Sequence, residues 1–154
     1  MKTDLDAADV RILSVLQEEG NLSIAQISER IHLSTNACWR RVKRLEDCGY
    51  ILRRVALLSP ERLGLSIVAH ISLRLSEQSA ESTSRFVAAV TQMRNVTEIF
   101  AMSGEAGFFL KTYSRDLAEH ERLVDRLVSE NSFSYIRSEF VLRSYRDTTI
   151  LPLF

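Results

Sequence analysis

The stretch "LSTNACWRRVKRLEDCG", residues 33 to 49, decides how the rest of the chain is read. Ser34 suits a helix N-cap, and Gly49 suits the left-handed residue that follows a helix. On a wheel at about 100° per residue, Cys38, Val42 and Leu45 gather on one side. Asn36, Arg40, Arg41, Lys43 and Arg44 fall on the other, with no acid until Glu46 and Asp47. A solvated helix usually mixes its signs through pairs such as Glu–Lys. A face this basic suits the phosphates and base edges of nucleic acid instead.

Two more helix starts lie upstream. In "LDAADVRILSVLQEEG" (5–20), Asp6 caps, Asp9 favours the first turn, Leu5 and Val10 sit as a hydrophobic staple, and Gly20 suits the stop. In "NLSIAQISERI" (21–31), Ser23 and Gln26 form a capping box, with Leu22 and Ile27 as its staple. The second helix is expected to end near Ile31 and the third to begin at Ser34, which leaves the short turn of a helix-turn-helix. A generic three-helix bundle shares that spacing.

Downstream, "YILRRVALLS" (50–59) reads as a strand that adds Arg53 and Arg54 beside the basic helix. The domain boundary is placed near Ser59: residues 1–59 as a helix-turn-helix DNA-binding domain with a strand linker, residues 60–154 as an αβ domain. In the second half, "LSIVAHISLRL" alternates as a strand and "SAESTSRFVAAVTQM" carries Phe86, Val87, Val90 and Met93 on one helical stripe. "VTEIFAMSGEAGFFLKTYS" reads as two strands around a Gly-bearing turn. "RDLAEHERLVDRLVSE" aligns Leu117, Val124, Leu127 and Val128 as a helix, and "YIRSEFVLRSYR" is a last strand. The order βαββαβ is ferredoxin-like, making the chain α+β. Val68, Ile99, Phe109, Val141 and Tyr145 are expected on the sheet's open face, where a homodimer would cover them.

Composition narrows the function. Of 154 residues 45% are apolar, enough for a real core, while 20 basic residues balance 20 acidic ones. Attraction to a polyanion must therefore come from where charge sits. The acidic N-terminus has no apolar signal region, and no run reaches the roughly 18 apolar residues of a membrane span. Cys38 and Cys48 make neither a disulfide framework nor a metal spacing, so a reduced, cytoplasmic setting is expected. His32, His70 and His120 are far apart, and no phosphate-binding loop, dinucleotide fingerprint or nucleophile motif occurs. No cofactor or metal is expected, and an enzyme reading leaves the basic helix unexplained.

From Leu5 to about Pro152 the chain resembles the Lrp/AsnC transcription regulators. "LDAADVRIL" is similar to the family's opening helix, and "LSTNACWRRVKRLEDCGYI" to its recognition segment. "VALLSPERLGL" resembles its linker, and "SGEAGFFLK" the turn at its effector site. The resemblance implies a winged helix-turn-helix, a small-molecule-binding αβ domain usually answering to amino acids, and dimers that commonly assemble into octamers. It implies effector contacts from Ala101, Gly104, Glu105, Ala106, Gly107, Phe108 and Val141. The chain departs from the pattern at Ala37, often proline, and at Gly107, commonly aspartate. Losing that acid removes a charge-assisted contact, which keeps open an effector-independent architectural DNA-binding protein as the alternative.

Residue by residue, Thr35, Asn36, Trp39 and Arg40 are expected to meet base edges, and Lys43, Arg44 and Arg53 phosphates. Ser34 and Arg41 complete the expected DNA-binding set, while Trp39, on the border of the two faces, suits packing equally. Cys38 is expected in the core. Gly104 and Gly107 suit either a tight turn or a ligand's close approach.

Overall fold

The structure is a computed structural model, and it describes residues 5–104 and 107–153. The chain divides into two compact units. One joins the stretch up to Leu57 with the tail from Arg146, and the other spans Leu58–Tyr145. The return of the tail to the first unit has no counterpart in the sequence reading. It is held there by Gln17, whose amide donates to the Leu151 carbonyl at 3.2 Å and accepts from the Leu151 amide at 2.9 Å.

The first unit is built on three helices, α1 (Ala7–Glu18), α2 (Ile24–Arg30) and α3 (Thr35–Asp47). Asp6 caps α1 in a full capping box with Asp9, and Ser23 caps α2 in another with Gln26. Ser34 caps α3, accepting from the Ala37 amide. The turn between α2 and α3 is closed by His32 at φ 55°, a left-handed residue that lets the Leu33 amide reach back to the Ser28 carbonyl at 3.0 Å. Gly49, at φ 75°, ends α3 the same way. Ile12, Leu16, Ile27, Cys38, Val42 and Leu45 form the core these helices share. Gly20 plays no left-handed role; α1 ends at Glu18, with Glu19 as its C-cap.

The segment 50–59, expected as a strand, forms none and joins no ladder among the described residues. Leu52, Val55, Leu57 and Leu58 all stand exposed along it. A strand needs a hydrogen-bonded neighbour, and nothing described in this unit supplies one.

The second unit runs β1 (Ile67–Leu75), α4 (Ala80–Val90), β2 (Val96–Ala101), β3 (Phe108–Ser114), α5 (Leu117–Glu130) and β4 (Phe133–Phe140). The sheet order is β2-β3-β1-β4, antiparallel throughout, so the expected α+β ferredoxin-like architecture is the one observed. Ala69, Ile71, Leu73 and Leu75 of β1 and Phe108 and Leu110 of β3 point into the core. Phe86, Val90 and Met93 of α4 and Leu123 and Leu127 of α5 are buried with them. Leu117 and Val128, expected on the buried stripe of α5, are exposed; His120 takes the inward position. Its Nε2 meets Ser138 Oγ of β4 at 2.7 Å, and burial pulls its pKa down, favouring the neutral ring.

Two further expectations are corrected. Ile99 faces the core, because it pairs with Leu110 rather than with an outward residue of β3. The last strand begins two residues earlier than expected and stops at Phe140. Its partner β1 begins at Ile67, so after one more bond, from the Val141 amide to the Val68 carbonyl at 2.9 Å, there is nothing left to pair with. Val141 and Tyr145 therefore lie beyond the sheet.

Phe86 is fully buried, with its ring centroid 4.9 Å from Phe108 and 5.9 Å from Phe133. Phe86→Ala should destabilise the second unit by about 3–5 kcal/mol, read as a lower urea midpoint. A loss under about 1 kcal/mol would mean that this core is not packed as described.

Candidate nucleic-acid interface and effector turn

Helix α3 has one apolar side, Cys38, Val42 and Leu45, locked into the core. That fixes what the other side presents. Thr35, Asn36, Trp39, Arg40 and Lys43 are exposed, as is Arg53 on the segment that follows. Trp39 is 56% exposed and lines a groove with Val42, Ile51 and Leu52, so it stands between packing and solvent. Thr35 Oγ1 lies 3.5 Å from Ser28 Oγ, which ties the start of α3 to α2. Ser34 is occupied as the cap.

The cations of α3 are not alike. Asp9 of α1 has no exposed side-chain surface, yet it is ionised and fully engaged. Its Oδ1 accepts from Arg41 Nη1 at 2.8 Å, and its Oδ2 from the Asp6 amide at 3.1 Å and from Arg44 Nη2. Arg41 Nη1 also reaches Asp6 Oδ2 at 2.7 Å. Lys43 pairs with Asp47 at 2.9 Å, one turn along on the surface, and Arg54 with Glu46 at 3.3 Å. Arg40 has no acid partner among the described residues.

These contacts move the titrations. Burial pushes the Asp9 carboxyl up, but the Asp6 amide and the two guanidiniums outweigh it and hold it below the usual carboxylate range. The Asp9 amide first, then Arg41, bring Asp6 down to about 2. Hydrogen bonding to these carboxylates, and then their charge, raises Arg41 and Arg44 in turn.

The sequence reading missed Asp9. The signal was present: Asp9, Ile12 and Leu16 share one face of α1, which puts an acid on an apolar stripe. It also placed no acid near the middle of the basic face, because acids arriving from another helix leave no trace in the spacing of α3.

In the second unit, Ala101 ends β2 opposite Phe108, and both flank the expected effector turn. Ala101, Met102, Ser103 and Gly104 are exposed. Gly104 has φ 102°, a left-handed conformation that favours glycine, and its carbonyl accepts from Arg74 Nη2 at 3.1 Å. Gly107 is different. Its φ is not left-handed, and an added Cβ would meet only ordinary contacts, 3.6 Å from the Leu73 carbonyl. The backbone does not require glycine there. The Phe108 side chain turns into the core against Phe86. Val141 is half-buried beside Val68. Glu105 and Ala106 lie outside the described residues. A polar cleft of about 530 Å³ in the same unit is lined by Glu77, Ser82, Arg85 and Asn131 among others, and by none of the expected effector residues.

A capped recognition helix in a three-helix unit, joined to a ferredoxin-like unit, defines a two-part DNA-binding regulator. Comparison with known proteins agrees. Residues 5–51 match the winged helix-turn-helix DNA-binding family, and residues 68–151 the Lrp/AsnC ligand binding domain. The chain belongs to the Lrp/AsnC family of transcriptional regulators. It is 35% identical to the glutamate uptake regulatory protein of Zymomonas mobilis, over 97% of this chain and 91% of that one. It is also 35% identical to the DNA-binding transcriptional activator DecR of Escherichia coli, over 97% and 99%. Among solved structures, a transcriptional regulator from Neisseria meningitidis in complex with L-Met aligns at a TM-score of 0.91 with 37% identity, covering 96% of each chain. No helix among the described residues is long and apolar enough to cross a membrane.

The Asp6–Asp9 pair makes a prediction about acid. A carboxylate held below its unfolded pKa adds stability that is complete above about pH 4 and fades as pH falls through the folded value, here about 2 for Asp6. The urea midpoint of the first unit should therefore drop between about pH 4 and pH 2, and drop less steeply in Asp6→Asn. Parallel pH profiles for the two proteins would remove the clasp from the stability of this unit.

Proposed function

We propose that this protein is a sequence-specific regulator that reads duplex DNA with the first half of α3 and answers to an amino acid at the turn between β2 and β3. One observation carries the DNA reading: Asn36, Trp39 and Arg40 project to solvent from a helix whose opposite side is core, and Arg40 has no acid partner among the described residues. In a major groove, Asn36 suits adenine and Arg40 guanine through paired hydrogen bonds, with Thr35 nearest the helix start. Lys43 and Arg53 suit phosphates. The relatives are regulators, and regulation, unlike catalysis, accounts for the basic helix.

Two recognition helices are needed for two half-sites, and the open face of the sheet supports a homodimer. Phe100 and Tyr135 are 48% and 42% exposed there, in the outward registers that Phe109 and Tyr113 share. Covering such aromatics favours self-association, with four dimers closing into an octamer. The effector turn is exposed in one chain, so a second subunit would complete its pocket. The amino-acid class rests on the ligand-binding domain and on the L-Met complex of the Neisseria relative. Working on chromosomal DNA places the protein in a bacterial cytoplasm.

Melting temperatures measured with each of the twenty amino acids at millimolar concentration test the effector reading. A ligand at about 100 times its Kd stabilises by roughly 2.7 kcal/mol, so at least one should raise the Tm by several degrees. Flat responses to all twenty, from protein that still binds a selected duplex, would favour the architectural alternative.

The DNA assignments separate by variant. Arg40→Ala should lower preference for a selected duplex over random DNA, by about 1–3 kcal/mol. Lys43→Ala should weaken both duplexes alike and flatten the salt slope by about 0.9. Equal losses on both duplexes for Arg40→Ala would refute its base-reading role.

A further inference from the structure

We infer that Asp9 sets the specificity of the DNA interface by withholding two of the recognition helix's cations from phosphate. The inference rests on the DNA-binding reading and deepens it. Four cations lie within residues 40–44, and a polyanion would ordinarily attract all of them. Two are already committed. Arg44 and Arg41 converge on one carboxylate whose side chain has no exposed surface, and Asp6 adds a second acid to Arg41 at 2.7 Å. Two carboxylates and two guanidiniums make a locally neutral cluster.

The commitment is firm because of where Asp9 sits. For either arginine to swing out to a phosphate, a carboxylate with no exposed surface of its own would have to give up a charged partner. Lys43 faces no such barrier: its partner Asp47 is 61% exposed and gains water when the pair opens. The cluster is therefore a filter. It leaves Arg40 and Lys43 available and holds back Arg41 and Arg44, although all four sit on the same short stretch.

Affinity for random DNA grows with the number of phosphates neutralised, whereas discrimination comes from base edges. Removing two cations from the count lowers the first and leaves the second. The same bonds fix the rotation of α3 about its axis, because Arg41 and Arg44 sit three residues apart and are pinned to one point on α1. Asp9 is thus a positioning residue that touches no DNA itself.

The test uses the full-length protein, a duplex obtained by selection from random sequence, and a random duplex, with Kd measured between 50 and 200 mM salt. In Asp9→Asn the side chain keeps its shape and loses its charge. Random-duplex binding should tighten at low salt, its slope of log K against log salt should steepen by about 0.9–1.8, and preference for the selected duplex should fall at least tenfold. A loss of binding to both duplexes with no steeper slope would show a purely structural role and overturn the proposal. Should Asp9→Asn fail to fold, Arg44→Gln decides, since Arg41 still neutralises Asp9. Its salt slope should flatten by less than half the change seen in Lys43→Ala, and a flattening as large as that of Lys43→Ala overturns the proposal. Wild-type protein that bound neither duplex would instead refute the DNA-binding reading beneath it.

Discussion

A carboxylate with no exposed surface has to be matched by charge, and Asp9 is matched by two guanidiniums from a different helix. Desolvating each ion costs several kcal/mol, so such a cluster is a poor source of net stability; apolar side chains of similar volume often do as well. What it supplies is geometry. Ile12 and Leu16 of α1 pack in one core with Val42 and Leu45 of α3 through non-directional contacts that tolerate a small rotation. Two guanidiniums of α3 converging on the two oxygens of one carboxylate do not. The capping box adds to this, because the Asp6–Asp9 pair that starts α1 is the same pair that grips α3. A helix start and an interhelical lock thus share two residues.

The second unit answers a different constraint. Its sheet has helices on one face, so every strand sorts its side chains by the register of its partner. Ile71 meets Leu110 inward, while Ser72 meets Phe109 outward. A one-residue slip would exchange the two sets, which makes β1, bonded on both sides, the reference for the whole sheet. It also sets where the β2–β3 turn begins. Ala101 and Phe108 are the last pair of the β2–β3 ladder, and Gly104 bends the chain between them while Arg74 holds its carbonyl. Gly107 is under no such demand. Its backbone conformation and surroundings do not demand glycine.

Much of this was legible in the sequence because short-range rules governed it. The caps at Asp6, Ser23 and Ser34, the stop at Gly49 and the period-2 pattern of β1 are each decided within a few residues. The exposure of Asn36, Arg40 and Lys43 followed from the wheel, which left Trp39 on the border of the two faces. What did not follow was decided by partners distant in sequence. Ile99 turned inward because of its pairing with Leu110, and β4 ended where β1 gave out. Arg41 and Arg44 were read as free cations because the acids that claim them lie 32 and 35 residues away. The tail's return to Gln17, 134 residues away, had no local signature at all. Segment 50–59 shows the converse: its composition suits a strand, yet a ladder needs a neighbour that composition cannot name.

The charge balance takes on meaning in this light. At physiological salt, electrostatic influence between exposed groups decays over about 8 Å, so the protein's overall neutrality tells a duplex little. What the duplex meets is the local face of α3, and there the arrangement of pairs matters more than the count. Lys43–Asp47 is exposed at both ends, whereas Arg41 and Arg44 share a partner with no exposed surface. Arg40 stands between them with no acid partner among the described residues. A regulator must dissociate from the vast excess of wrong sites, which demands weak phosphate attraction alongside good base reading. Committing cations to an internal acid, as proposed for Asp9, would lower phosphate attraction while leaving the side chains proposed to read bases untouched.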